Sequence, residues 1–364
     1  MDISAGRRLI VVGSLNVDLI SYVPRFPAPG ETLVGSSFQQ GCGGKGANQA
    51  CAAALLCGGA GAVAMVGAVG DDALGADYVR VGGCFAGSGV DVSGVAVARG
   101  VSTGVAPIWV NAEGENCIVV VPGANETVTA ADVEAALDAS GRLACAAGVV
   151  VQCEVPLAAT AAALRRASGA GVATFWTPAP VPPGGLPDTL LAHASVLIPN
   201  RGELLALAGG AAAAAAAAEP GVSAAALAAL CACAATLQSR GARSVVVTLG
   251  ADGALVVGAG GNASALVRAP RVAAVDTSGA GDAFSGALAF FVCARAAPFD
   301  VPFDILVDAA RRAACVAALS VTKKGTQQSY AARRALPPSL FADAPWGEGS
   351  AAEFAAWVAG GGVE

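Results

Sequence analysis

The stretch Val275-Asp276-Thr277-Ser278-Gly279-Ala280-Gly281-Asp282-Ala283-Phe284 has the residue types best suited to chemistry. Gly279, Ala280 and Gly281 precede an apolar, proline-free run from Ala283 to Val292 that is long enough for a helix. Glycines at 279 and 281 let the backbone take unusual dihedrals and approach a ligand closely. Ser278 or Gly279 can cap the helix. Its first turn then offers unpaired N–H groups and the positive end of the dipole, which together make an anion site. Asp282 falls in that same turn. A carboxylate beside an anion hole repels the anion, so its presence points to a second task, taking a proton from an incoming hydroxyl. The plainer reading is a capped helix whose Asp only complements the dipole. Both readings stay open on these residues alone.

Other polar groups recur at the ends of apolar runs. Leu9–Val12 reads as a buried first strand, followed by Gly13-Ser14 and then Asn16 and Asp18. Two polar residues at i and i+2 point the same way and can grip adjacent hydroxyls, although an Asx turn accounts for them as well. Gly41-Cys42-Gly43-Gly44-Lys45-Gly46-Ala47-Asn48 opens a helix through about Cys57 and suits a polyhydroxylated or phosphorylated ligand. It is not a Walker A loop, because Gly46 follows Lys45 where Ser or Thr is required. Thr248-Leu249-Gly250-Ala251-Asp252-Gly253 is a glycine-punctuated turn suited to nucleotide phosphates.

Composition bounds the function. The chain has 364 residues, 55 % hydrophobic and 13 % charged, with net charge −6. It can bury a large core, and its charge argues against nucleic-acid or anionic-membrane partners. Its single histidine, His193, argues against zinc and against Ser-His-Asp or Cys-His catalysis. The eleven cysteines show no framework spacing and Met1-Asp2 begins no signal peptide, so reduced, mostly buried thiols in a cytoplasmic protein are expected, the nucleus remaining open. Pro220–Ser239 lacks charge, but Leu227, Leu230 and Leu237 fall near helical spacing and predict a packing helix, not a membrane span.

The elements that would hold these groups alternate. Apolar strands at Gly148–Val151, Val172–Trp176, Val196–Ile198 and Ser244–Thr248 are separated by helical segments, which is βαβ repetition. Gln152, Glu154, Thr177, Asn200 and Glu203 lie just past these strands, at the ligand-binding edge of such a sheet. The expected fold is therefore α/β: a doubly wound, mostly parallel sheet flanked by helices. Alternating segments at 19–38 and 102–121 predict a small separate β-sheet that could act as a lid. One domain is expected over 1–340, with an Ala-rich surface insertion at 211–219 and a C-terminal tail at 341–364.

Taken in order, Asn16-Val17-Asp18, Gly43-Gly44-Lys45-Gly46-Ala47-Asn48, Asn200…Glu203, Thr248-Leu249-Gly250 and Asp276–Asp282 resemble the ribokinase/PfkB sugar-kinase family. Pro27-x-Pro29-Gly30-Glu31-Thr32, Ser102–Ala106, Asn111–Asn116 and Val321–Gly325 extend the resemblance, which runs from about Leu9 to Tyr330. It implies ATP-dependent phosphorylation of D-ribose at O5. Asp282 would be the general base, with Gly279, Ala280 and Gly281 the anion hole. Asn16, Asp18, Gly44, Lys45, Gly46, Ala47, Asn48 and Glu154 would hold the sugar. Asn200, Thr248, Leu249, Gly250, Ala251, Asp252, Gly253 and Ala314 would meet ATP, together with Gly281 and Asp282. Asn200 and Glu203 would organise Mg²⁺ through water. Asp276, Ser278, Ser320, Lys323, Gly325 and Ser329 would bind an activating monovalent cation, usually K⁺, with Lys323 limited to its carbonyl. A homodimer through the lid strands is also implied. Thr177 and Arg201-Gly202 depart from the family pattern. Another sugar or nucleoside as substrate, or a non-catalytic sugar-binding relic, are the alternatives.

Overall fold

The structure, a computed structural model, describes residues 1–3, 6–80, 83–85, 87–219, 221–295, 298–347 and 349–360. The strands are β1 (Arg8–Val12), β2 (Asn16–Tyr22), β3 (Ser37–Gly43), β4 (Val63–Gly70), β5 (Asp91–Ala98), β6 (Gly104–Val110), β7 (Asn116–Ile118), β8 (Ala146–Val151), β9 (Ala173–Trp176), β10 (Val196–Leu197), β11 (Ser244–Thr248), β12 (Ala254–Val257) and β13 (Ser264–Val267). The helices are α1 (Lys45–Leu56), α2 (Ala73–Val79), α3 (Ala130–Asp138), α4 (Leu157–Gly169), α5 (Asp188–Leu191), α6 (Arg201–Ala208), α7 (Gly210–Ala218), α8 (Ala224–Ser239), α9 (Ala280–Ala294), α10 (Phe303–Ser320) and α11 (Gly349–Ala359).

A nine-stranded sheet runs β13-β12-β11-β10-β9-β8-β1-β4-β5, parallel except where β12 pairs with β11 and β13. Its strands are apolar on both faces because helices cover both. Leu9 and Val11 face the core under α1, α9 and α10, while Ile10 and Val12 face the core under α3, α4 and α8. The chain leaves β1 toward β4 on one side and later fills β8 on the other. The strand order therefore switches between β1 and β8, where open α/β sheets bind ligands.

The second sheet is four-stranded, in the order β3-β2-β6-β7. Here the structure moves a boundary. Asn16 and Asp18 do not trail off β1; they belong to β2, because pairing with β3 and β6 already begins at Asn16. Alternation then sends Asn16, Asp18, Ile20 and Tyr22 to one face, together with Ala106, Ile108 and Val110 of β6, and that face covers the cleft described below. The four strands fall within 16–43 and 104–118, and β2 and β6 run parallel.

Two further readings change. Cys42 and Cys84 form a disulfide with their Cα atoms 5.6 Å apart, so the thiols are not all reduced. The partners are 42 residues apart, and only the fold brings the end of β3 beside the segment after α2. The segment after Leu340 is also no loose tail. Trp346 and Phe354 are buried, and the fully buried Arg312 of α10 donates to the carbonyls of Leu340 and Ala344. The Ala-rich segment is helix α7, with Ala216 buried, and α8 buries Leu230 and Leu237. Pro220, Glu348 and the last four residues lie outside the described residues. Among the described residues no helix is long and apolar enough to cross a membrane.

Candidate active site

Gly279 is the N-cap of α9 in a left-handed conformation, with φ at 71°. A Cβ there would collide with Thr326 Cγ2 and approach Tyr330 Oη to 2.6 Å, so only glycine fits. Ser278 does not cap the helix; its N–H instead donates to Asp276 Oδ1 at 2.9 Å. Gly325 N–H donates to the other oxygen of Asp276 at 2.8 Å, tying the loop to the end of α10. Burial pushes the Asp276 carboxyl up, but these N–H bonds outweigh it and hold the group below the usual carboxylate range.

Asp282 is buried in the first turn of α9. Asn48 Nδ2 donates to its Oδ2 at 3.0 Å and Gln49 Nε2 to its Oδ1 at 2.9 Å. The carboxylate lies where two cavities meet. The larger, about 570 Å³, runs under the lid face past Asn16, Asp18, Lys45 and Glu154. The smaller, about 140 Å³, is lined by Thr177, Asn200, Glu203, Thr248, Gly281 and Ser285. Lys45, Gly279 and Asp282 line both.

On the larger side, Glu154 fixes the loop before α1. Ser14 Oγ donates to its Oε2 at 2.6 Å, and the Lys45 N–H donates to the same oxygen at 2.9 Å. Lys45 Nζ is 3.9 Å from Glu154 Oε1. The Lys45 ammonium is held above its ordinary pKa, first by Asp282 and then by Glu154, Glu203 and Asp18, against burial. Asp18 is pushed up to about 7, mainly by burial, with Glu154 and Asp282 adding to the shift and Lys45 opposing it. Asn16 Oδ1 accepts from Asn125 Nδ2 at 2.7 Å, which aims the rest of the amide at the cleft. Gly44 and Asn48 reach this cleft, but Gly46 and Ala47 are buried behind it, where their N–H groups bond to Ser14.

On the smaller side, Asn200 and Glu203 form a capping box at the start of α6. Asn200 Oδ1 accepts from the Glu203 N–H at 2.9 Å, and Glu203 Oε2 accepts from the Asn200 N–H at 2.8 Å. Burial pushes the Glu203 carboxyl up. Thr248 bridges to Asn200 at the sheet edge, and the Leu249–Gly253 turn closes on the Leu249 N–H to Gly253 carbonyl bond. Leu249, Gly250, Ala251, Asp252 and Gly253 lie outside the small cavity, and Ala280 lines neither cleft. Ala314 is not at the cleft: it is 3 % exposed in the core under α10, because the apolar face of that helix turns inward. Ser320 and Ser329 are buried, each donating to a carbonyl three residues back, whereas Lys323 is exposed.

Both departures from the family pattern have structural roles. Thr177 Oγ1 donates to Ser285 Oγ at 3.2 Å and borders the smaller cavity. Arg201 donates to the carbonyls of Ala216, Glu219 and Gly221, clamping the end of the Ala-rich helix. Several site residues escaped sequence reasoning: Ser14, Gln49, Tyr78, Asn125 and Gln327. Gln327 Nε2 donates to Asn48 Oδ1 at 3.0 Å, and Tyr78 Oη donates to the Gly43 carbonyl at 2.6 Å. The one signal is that Gln49 continues the Gly-Lys-Gly-Ala-Asn run into a stretch of small residues, Ala50 to Ala54.

A switch-point cleft beside a glycine-capped helix with a buried Asp, covered by a second sheet, defines an α/β protein that binds a small polar ligand. Residues 7–333 match the model of the pfkB family of carbohydrate kinases, and the chain belongs to that family. Relatives narrow the likeness. It is 36 % identical to a ribokinase of Mus musculus over 92 % of this chain and 94 % of that one. It is 38 % identical to a ribokinase of Schizosaccharomyces pombe, over 88 % and 94 %. A deoxyribokinase of Salmonella typhi is 35 % identical, over 88 % and 95 %. Among solved structures, ribokinase from Giardia lamblia superposes with a TM-score of 0.76 at 28 % identity, covering 91 % of this chain and 97 % of that one. Arabidopsis thaliana ribokinase complexed with ribose and ATP superposes with a TM-score of 0.71 at 28 % identity, covering 90 % and 96 %.

Proposed function

We propose that this chain transfers the γ-phosphoryl group of ATP to O5 of D-ribose, giving D-ribose 5-phosphate. The observation that carries the reading is Asp282, the one carboxylate shared by a sugar-sized cleft and a smaller cavity, at the N-terminus of α9. Asn16, Asp18, Lys45 and Glu154 hold the sugar hydroxyls. Asp282 takes the proton of O5 as it attacks. Backbone N–H groups at Gly279 and Gly281, with Ala280 holding the turn between them, face the charge of the transferred phosphoryl group, where fixed dipoles act most strongly. Lys45, between the two cavities, adds positive charge at the same place. Phosphoryl transfer needs positioning and electrostatics more than covalent help, so the lack of a nearby histidine is no obstacle.

ATP lies toward Thr248 and the Leu249–Gly253 turn. Asn200 and Glu203, whose side chains are bonded to each other, would hold Mg²⁺ through water. Bound with the nucleotide it neutralises phosphate charge. The loop around Asp276 suits a monovalent cation: its donors are all oxygen, Asp276 is held ionised, and Ser320 and Ser329 keep lone pairs free. The protein acts in the cytoplasm. It pairs as a homodimer through lid strands whose Phe38 and Ile118 are exposed and whose edges carry no partner strand among the described residues.

A second reading, 2-deoxy-D-ribose as preferred acceptor, draws on the Salmonella typhi relative. Turnover is measured with ribose, 2-deoxyribose, fructose and adenosine, using ATP, Mg²⁺ and either K⁺ or Na⁺. Ribose is expected to give the highest kcat/KM and K⁺ to raise it. Absence of ribose turnover would overturn the proposal.

A further inference from the structure

One polar group in contact with Asp282 has no task so far. Gln49 is 0 % exposed on α1, between α9 and the end of β8. We infer that Gln49 is a positioning residue for the general base, holding the Asp282 carboxylate so that its free lone pairs face the acceptor hydroxyl. This rests on the kinase reading above.

Consecutive residues on a helix diverge and do not normally serve one partner. Asn48 and Gln49 both reach Asp282 because each takes a different oxygen, Oδ2 and Oδ1. The helices are close enough for this because residue 286, one turn after Asp282, is glycine. A Cβ there would stand 2.5 Å from the Gln49 carbonyl oxygen.

The direction of the Gln49 amide is fixed from both ends. An ionised carboxylate only accepts, so the NH₂ group must face Asp282. Its oxygen then faces Gln152, whose Nε2 donates to it at 2.8 Å. Gln152 in turn fits only because residue 13 is glycine, whose Cβ would overlap the Gln152 amide oxygen. Both glutamines are 0 % exposed, and Gln152 Oε1 finds no partner among the described residues. An orphaned buried acceptor destabilises the fold. A leucine pair would remove that orphan but strip Asp282 Oδ1 of its donor, so packing around Gln152 alone does not explain the amides. Orientation of Asp282 does. Each carboxylate oxygen has two lone pairs, and an amide on each leaves one directed to the cleft.

The test uses Gln49→Met, which keeps length and volume but removes the donor. The expected result is a fall in kcat of about 10- to 100-fold, the range for a misaligned reacting group. The sugar KM and calorimetric sugar affinity should move less than about threefold, because Gln49 does not line the sugar cleft. In an Asp282→Asn background, Gln49→Met should lower turnover no further, since it acts through the base. Gln152→Met should give a smaller loss of the same kind, and it serves as the test if Gln49→Met does not fold. Wild-type kcat in the variant that folds, a loss carried by KM, or a full additional loss in the Asp282→Asn background would each overturn the inference. The comparison is made with whichever sugar the wild type turns over, so failure on ribose counts against the substrate assignment and not against Gln49.

Discussion

Gly279 and Gly281 look alike in sequence, two residues apart in one glycine-rich turn, but the structure predicts opposite outcomes for the same substitution. Gly279→Ala places a Cβ on a residue with φ at 71° and drives it into Thr326 and Tyr330. Left-handed backbone at a non-glycine residue costs roughly 1–2 kcal/mol. The collision adds about 1–3 kcal/mol, as overpacking does. The sum is roughly 2–5 kcal/mol. For 364 residues the unfolding entropy is roughly 0.8 kcal/mol/K, so Tm should fall by about 3–6 °C. Gly281 has no positive φ, and a Cβ there meets nothing within 4 Å. Gly281→Ala should therefore leave Tm unchanged or raise it slightly, since alanine is the better helix residue by about 0.5–1 kcal/mol. Its methyl, however, would project into the smaller cavity where a phosphoryl group needs bare backbone N–H. Loss of one such donor costs about 10²–10³ in kcat, and a tenfold loss is the least expected here. Differential scanning fluorimetry and steady-state kinetics on both variants decide the matter. Full turnover in Gly281→Ala would refute the anion hole, and an unchanged Tm in Gly279→Ala would refute the packing argument.

Other outcomes follow from the same geometry. Asp282→Asn should retain sugar and ATP binding by calorimetry while kcat falls by roughly 10² or more, the usual worth of a general base. Asp18, pushed up to about 7, is protonated below that pH and has less capacity to accept sugar hydroxyls. The sugar KM should thus rise as pH falls through about 7, by up to about tenfold per unit, and Asp18→Asn should give a high KM that is flat over the same range. Because the folded pKa lies above the unfolded one, the same group favours the ligand-free fold at low pH, and Tm should lose that contribution as pH rises toward 7. Arg201→Ala removes three charged-donor bonds to carbonyls at the end of α7. Limited proteolysis between residues 210 and 221 should accelerate by roughly tenfold or more.

The main sheet was legible in the sequence because its strands are continuous apolar runs with polar residues just past their ends; β8, β9, β10 and β11 fall within two residues of the expected limits. Asn16 and Asp18 were recognisable as a pair, but their strand was not. Two polar residues in Asn16-Val17-Asp18 look like a turn until the pairing partners at Gly43 and Gly104 are known. The Cys42–Cys84 bond depends on tertiary proximity over 42 residues and leaves no spacing signal. The resemblance puts Ala314 near ATP, whereas periodicity along α10 turns its side chain into the core. The segment from 341 onward carried no pattern because its anchor, Arg312, lies far back in the chain on α10. The buried amides were the hardest to see, since nothing in a glutamine's local sequence distinguishes a surface side chain from one that bonds a carboxylate.

Asp276 and Asp282 lie six residues apart in one loop and helix start, yet their surroundings give them different work. Asp276 accepts from two backbone N–H groups, at Ser278 and Gly325, which belong to segments that must stay in place. Such bonds favour the ionised form and fix loop shape, so this carboxylate serves structure and, in the proposed reading, a nearby cation. Asp282 accepts from side-chain amides only, Asn48 and Gln49. Both lie on α1, directly after Gly44-Lys45, so in the proposed reading the groups that orient the base share one helix with the groups that hold the acceptor. A displacement of Gly44-Lys45 would therefore also displace the base. In the proposed reading, proton abstraction is thereby coupled to correct seating of the sugar, and a water molecule, which cannot engage Asn16, Asp18 and Lys45 together, gains less from the same carboxylate.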